Sequence, residues 1–246
     1  MNRSLPGEGV LWQLGDFFFR WRSYLPLLLV PVIVVTVARW RYTFGSAATN
    51  LAWECGCVLL ALCGQALRAM TVGFAAPGTS GRNTREQKAA SLNTTGAYSV
   101  VRHPLYLGNS IIVIGLALFP HSWLLPFVAT LVTTAYYACI AAREESFLRQ
   151  RFGETFETWA ARVPVVVPAV WRYVPSSRPF AWRTVVRREF YGLTIVLVAP
   201  FFLDVLEDLD ETGVMTLDPV WTVTAVMGAL LFVIVRFLKK RTSVLS

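Results

Sequence analysis

The chain has 246 residues, 55% of them hydrophobic and only 15% charged, with a mean hydropathy of +0.51. A soluble domain would carry about 25% charged residues, so these figures exclude an ordinary water-soluble globule. The formal net charge of +8, from 23 Lys and Arg against 15 Asp and Glu, suits either nucleic acid or an anionic membrane surface, and the placement of the charges decides between them.

Six apolar segments follow one another, at 24–38, 51–67, 105–119, 123–142, 190–203 and 220–235. A full crossing takes about 20 apolar residues, so several are short, and 190–203 is the weakest. Arg20 and Arg22 precede the first segment as in a signal peptide, but no small-x-small cleavage site follows. With a cytoplasmic N-terminus and six crossings, 21 of the 23 basic residues fall on the inner side, leaving only Arg39 and Arg41 outside. The stretch DVLEDLDETGVMTLD (204–218) has no Lys or Arg and falls outside as a loop, as the positive-inside rule requires. The expectation is an all-α, polytopic transmembrane helix bundle of about six spans with both termini cytoplasmic, in a bacterial-type inner membrane. The basic excess then reflects orientation and contact with anionic lipids of the cytoplasmic leaflet. No nucleic-acid partner is expected, because no basic patch interleaved with aromatics stands apart from the membrane flanks.

In chain order, residues 1–74 read as an N-terminal transmembrane hairpin. Glu54 lies near the outer end of its second span, where it would reach water. Cys55, Cys57, Cys63 and Cys139 all sit in apolar runs with no zinc-like spacing, so no metal is expected. Residues 75–180 form the central unit. It opens with a polar loop rich in Gly, Ser, Thr and Asn, followed by TTGAYSVVRHPLYLGN (94–109). Pro104 suits the first turn of a helix, which places Arg102 and His103 at the N-terminal mouth of the third span. Free N–H groups and the positive dipole end make such a mouth an anion site. Tyr106 lies one turn in, and Tyr98 lies on the approach. The turn FPHSW (119–123), with a solvated His121, returns the chain through the fourth span to Arg143, Glu144 and Glu145. The two spans are antiparallel neighbours, so Arg102 and His103 approach the two glutamates. Adjacent carboxylates at a helix C-terminus oppose the dipole and need compensation, either from arginines or from a ligand. Phe147, Leu148, Phe152, Phe156, Trp159 and Val163 then recur at helical spacing and predict one amphipathic helix at headgroup level, weakened by Gly153. Residues 181–246 are a basic linker and a C-terminal transmembrane hairpin.

The pattern TTGAYSVVRHPLYLGN, followed one hairpin later by EESFLRQRFGETFETW (144–159) and VPVVVP (163–168), resembles the isoprenylcysteine carboxyl methyltransferase and phospholipid methyltransferase-like family of integral-membrane enzymes. The likeness covers about a third of the chain. It departs from the family at Phe156 and Trp159, where tyrosines are common, and the last hairpin lies beyond the usual core. The resemblance implies methyl transfer from S-adenosylmethionine to a lipidic, membrane-embedded acceptor. A carboxylate like that of isoprenylcysteine ranks slightly ahead of an amine headgroup. It implies a cofactor site of Tyr98, His103, Pro104, Tyr106, Leu107, Glu144 and Glu145, with Arg102, His103, Arg143 and Glu145 taking part in catalysis and Arg102, Arg143 or Arg149 orienting an acidic acceptor. An amine acceptor would need a base, for which His103 or a glutamate is the candidate. The rival reading is a non-catalytic lipid-binding membrane protein or small transporter.

Overall fold

The computed structural model of the chain describes residues 46–76, 79, 89–211 and 213–242. The expected first span, 24–38, lies outside them, together with Arg39 and Arg41. The described residues are all-α: α1 (Ala47–Phe74), α2 (Pro104–Leu118), α3 (Leu124–Phe152), α4 (Glu154–Ala160), α5 (Trp182–Glu211) and α6 (Pro219–Arg241). Of these, α1, α3, α5 and α6 are long and apolar enough to cross a membrane. Helix α2 has 15 residues, about 22 Å at the usual rise, and is shorter than a hydrocarbon core of about 30 Å.

Local chemistry sets the helix ends. Ser46 caps α1, its hydroxyl accepting from the Thr49 N–H at 3.3 Å. Asp218 caps α6, accepting from Val220 and Trp221, with Pro219 in the first turn and Lys239, Lys240 and Arg241 in the last. Those cations complement the carbonyl end of the dipole. Three sequence expectations change here. The weak segment 190–203 is the middle of a 30-residue helix that continues through Pro200. The acidic stretch expected as a loop from 204 is therefore helical to Glu211. The single amphipathic helix after Glu145 is two pieces, because Gly153 takes φ 53°, a conformation open to glycine that ends α3 and starts the short α4.

Helix α1 is the hub and packs on both α2 and α5; α5 in turn packs on α6. The α1–α2 contact is close because small residues face each other. A Cβ on Gly64 would lie 2.6 Å from the Gly108 carbonyl oxygen and 2.9 Å from the Ile112 nitrogen, while one on Gly115 would meet the Cys57 carbonyl and Ala61 nitrogen at 2.8 Å. Backbone atoms on both sides cannot yield, as in other small-residue helix crossings within membranes. Gly64→Ala is expected to lower the thermal midpoint in detergent by an amount matching about 1–3 kcal/mol of overpacking. Gly56→Ala, which meets nothing within 4 Å, is expected to leave the midpoint unchanged.

A buried core against the first half of α1 joins Ala61, Phe119, Val196, Leu203 and Trp221. Glu54 is buried there, against the expectation that it reaches water. Its carboxylate accepts from Trp221 Nε1 at 2.7 Å and from Asn50 Nδ2 at 2.8 Å. His121 is likewise half-buried rather than solvated, its ring 5.9 Å from that of Trp53, and burial pushes its pKa down. On α6, Val226, Leu230, Val233 and Phe237 form one exposed apolar stripe at helical spacing, as a lipid-facing side requires.

Candidate active site

Pro104 occupies the first turn of α2, with His103 as the residue ahead of it. The approach, residues 96–102, is pinned by the strap that follows α4. The Gly96 N–H donates to Val174 O at 2.8 Å, the Ala169 N–H to Val100 O at 2.9 Å, and the Arg102 N–H to Pro164 O at 2.9 Å. Gly96 has φ 62°, which allows the chain to turn into this register. Arg102 and His103 are therefore held in place before any side-chain contact is counted.

Glu145, at the far end of α3, accepts from both. Arg102 Nη1 lies 3.1 and 3.2 Å from its two oxygens, and His103 Nε2 lies 3.1 Å from Oε1. The other ring nitrogen of His103 is 3.6 Å from Glu144 Oε2, an ion-pair distance. Carboxylates on both ring nitrogens match an imidazolium, which donates from both. Burial alone would lower the His103 pKa, but hydrogen bonds and charge from Glu144 and Glu145 outweigh it and raise the value from 6.5 to about 9. His103 is thus a cation at neutral pH.

The other predicted residues take separate roles. Arg102 also donates from Nε to Val163 O at 2.7 Å and from Nη2 to Ala160 O at 2.6 Å, so its guanidinium ties α3, α4 and the strap together. Tyr106 donates to Glu144 Oε2 at 2.8 Å, and its ring stacks between His103 and Tyr137 with centroids 5.3 and 4.9 Å away. Glu144 is the more open carboxylate, its side chain 38% exposed against 15% for Glu145. Pro104 is fully buried, Leu107 is half-buried on α2, and Arg143 is half-buried on α3 beside the glutamates. The Tyr98 carbonyl accepts from Trp159 Nε1 at 3.1 Å, and burial together with the Glu144 charge pushes the Tyr98 hydroxyl pKa up. Arg149 is exposed and paired with Glu157 across the Gly153 break, away from this cluster. Alongside lies an open cleft of about 990 Å³, lined by Thr94, Thr95, Ser99, Thr158, Trp159 and Arg162 among others.

A second polar group was missed by sequence reasoning. Arg68 on α1 forks onto Glu189 of α5, with Nε–Oε2 2.8 Å and Nη2–Oε1 2.9 Å, and donates from Nη1 to Asn109 Oδ1 on α2 at 2.6 Å. Gln65 Nε2 adds a bond to Glu189 Oε2 at 3.1 Å. The signal available in the sequence was the lone Arg68 in the inner end of an apolar span and the acid beside Arg187 and Arg188 at the start of another. Among the described residues, no group of three or more His, Cys, Asp or Glu side chains is arranged to hold a metal ion.

The phospholipid methyltransferase family model matches residues 56–155, which contain both halves of the first cluster. The chain is similar to the nickel-cobalt-cadmium resistance protein NccN of Alcaligenes xylosoxydans xylosoxydans, 29% identical over 81% of this chain and 92% of that protein. It is also similar to the cobalt-zinc-cadmium resistance protein CzcN of Cupriavidus metallidurans, 30% identical over 59% of this chain and 65% of that protein. A third relative is the protein-S-isoprenylcysteine O-methyltransferase of Schizosaccharomyces pombe, 28% identical over 35% of this chain and 37% of that protein. No solved structure matches the chain with significance.

Proposed function

We propose that this chain, which matches the phospholipid methyltransferase family model over residues 56–155 and is similar to an isoprenylcysteine O-methyltransferase, moves a methyl group from S-adenosylmethionine to a lipidic acceptor at the cytoplasmic face of the membrane. The observation that carries the reading is the closure of Arg102 and His103 onto Glu145, with Glu144, held by Tyr106, as the more exposed carboxylate at the mouth of α2. The donor set fits the cofactor. Its sulfonium, ammonium and ribose hydroxyls seek an acceptor such as Glu144, and its carboxylate suits the N–H groups and dipole at a helix N-terminus. When bound, S-adenosylmethionine supplies an electrophilic methyl carbon.

The remaining chemistry belongs to the chain. Tyr106 aims Glu144, while Glu145 and Arg102 brace the junction of α2, α3 and the strap, so most of the work is positioning. The hydroxyl-rich cleft beside Trp159 gives a water-soluble cofactor its approach, and the acceptor's apolar tail enters sideways from the bilayer. His103 is already protonated and is no base at neutral pH. The glutamates are engaged as well, Glu145 by Arg102 and His103 and Glu144 by Tyr106, so an acceptor that is ionised without help is favoured, which ranks a carboxylate of the isoprenylcysteine kind above an amine headgroup. Arg143, half-buried and next to Glu144 in the chain, is the cation we assign to aligning it. Purified chain in native lipid is expected to bind S-adenosylhomocysteine and to transfer labelled methyl into a lipid extract as a base-labile ester. Binding too weak to detect would overturn the enzyme reading in favour of lipid binding, and a base-stable product would move the acceptor to an amine.

A further inference from the structure

We infer that Glu189, Arg68 and Asn109 form a relay that turns the Tyr137 hydroxyl into a hydrogen-bond donor for an oxyanion at the reactive end of the acceptor, an inference that rests on the methyl-transfer reading above. An ionisable pair inside a membrane bundle is costly and marks a site rather than a fastener. Here the Arg68 and Glu189 side chains are only 17% and 6% exposed. Asn109 lies six residues beyond His103 along α2, about 9 Å deeper at 1.5 Å per residue. The relay therefore sits further into the apolar layer than the cofactor cluster, on the side from which a lipid arrives.

The direction of each bond fixes the outcome. Glu189 takes two donors of Arg68, which leaves Nη1 to donate to Asn109 Oδ1 at 2.6 Å. With its oxygen committed, the Asn109 amide has its NH2 left to offer. Asn109 lies three residues beyond Tyr106 on the same face of α2, so the hydroxyl of Tyr137, whose ring stacks on Tyr106, is the group we assign to receive it. A phenol oxygen that accepts from an amide keeps its own proton to give away. The Tyr137 ring lies flat against Tyr106, 4.9 Å away and 12° from parallel, and so directly beneath the cofactor cluster. An ammonium would meet a phenol whose oxygen is already engaged, whereas a carboxylate would meet a donor. The Arg68 charge is balanced by Glu189, so the acceptor anion would be aligned without being trapped in a salt bridge. Glu189 lies outside residues 56–155, so on this account the last hairpin contributes to acceptor selection. Glu189 and Arg68 are positioning residues, and Tyr137 is the group that touches substrate.

The test uses the full chain in lipid nanodiscs with N-acetyl-S-farnesylcysteine as acceptor and S-adenosylhomocysteine as binding probe. Tyr137→Phe keeps the stacked ring and is expected to raise the acceptor KM about tenfold or more, the loss of one hydrogen bond to a charged group, with the probe's Kd held. Glu189→Gln and Arg68→Lys are expected to move KM in the same direction. The double variant of Tyr137→Phe and Glu189→Gln should be no worse than Tyr137→Phe alone, a coupling that independent structural roles would not give. An unchanged acceptor KM in an active Tyr137→Phe protein, or additive losses in the double variant, overturns the inference while the methyl-transfer reading stands. Failure of the unaltered chain to bind the probe or to methylate any lipid overturns both.

Discussion

Glu145→Ala is expected to abolish methyl transfer and to remove on the order of 3 kcal/mol of stability, the magnitude seen when one member of a buried charge network is deleted. Glu145 holds Arg102 through both of its oxygens and is one of two carboxylates facing His103. Its loss leaves two cations, 19% and 8% exposed, against a helix mouth whose dipole is already positive. The junction with Val163 and Ala160 would then open, because Arg102 holds both carbonyls from the same guanidinium. Glu144→Gln provides the contrast. It keeps an oxygen for the Tyr106 hydroxyl and is expected to leave the thermal midpoint near that of the unaltered chain. Affinity for S-adenosylhomocysteine should nonetheless fall about tenfold or more, as befits a lost charge-assisted hydrogen bond. Thermal unfolding and probe binding on the two purified variants separate the brace from the ligand-facing group. Equal behaviour of the two would contradict that division.

Stability should also depend on pH through His103. Its pKa is raised from 6.5 to about 9 on folding. A raised value means that the imidazolium's contribution is complete below pH 6.5 and is lost as pH climbs through 9. The change is worth about 3 kcal/mol. The difference in thermal midpoint between the unaltered chain and His103→Gln should therefore be largest at pH 6 and shrink toward pH 10. The same protonation has a kinetic counterpart, since a carboxylate acceptor needs no base. The methyl-transfer rate should then show no rising limb near pH 6.5, the signature expected if His103 worked as a neutral base. A gap in midpoint that widened with pH would contradict the charged assignment.

The helical class and the meeting of Arg102 and His103 with Glu144 and Glu145 were legible in sequence. Apolar runs and a five-residue turn between antiparallel spans leave little freedom in which helix ends become neighbours. What each residue does once there was not legible. Arg102 reads as a substrate arginine until the carbonyls of Ala160 and Val163 are seen in its fork. His103 reads as a proton shuttle until both its nitrogens are seen to face carboxylates. Arg68 and Glu189 are separated by 121 residues, and Glu54 and Trp221 by 167, so no periodicity or local spacing links them. Gly153 was visible as a weak point, but whether it would bend, fray or end the helix depended on a backbone angle fixed by packing.

The last hairpin meets α1 at two levels, through Trp221 on Glu54 near the start of α1 and Glu189 on Arg68 near its end. This bears on biogenesis. When α1 leaves the ribosome it carries an acid, an amide and a guanidinium whose partners on the last hairpin, Trp221 and Glu189, have yet to be translated. Until α5 and α6 arrive, those groups must stay hydrated or be held by the insertion machinery, so α1 enters the bilayer on loan. A chain arrested near residue 180 would keep Asn50 on Glu54 and Asn109 on Arg68 but lack Trp221 and Glu189, and so would hold an acid and a guanidinium in the apolar layer without the partners that offset their cost.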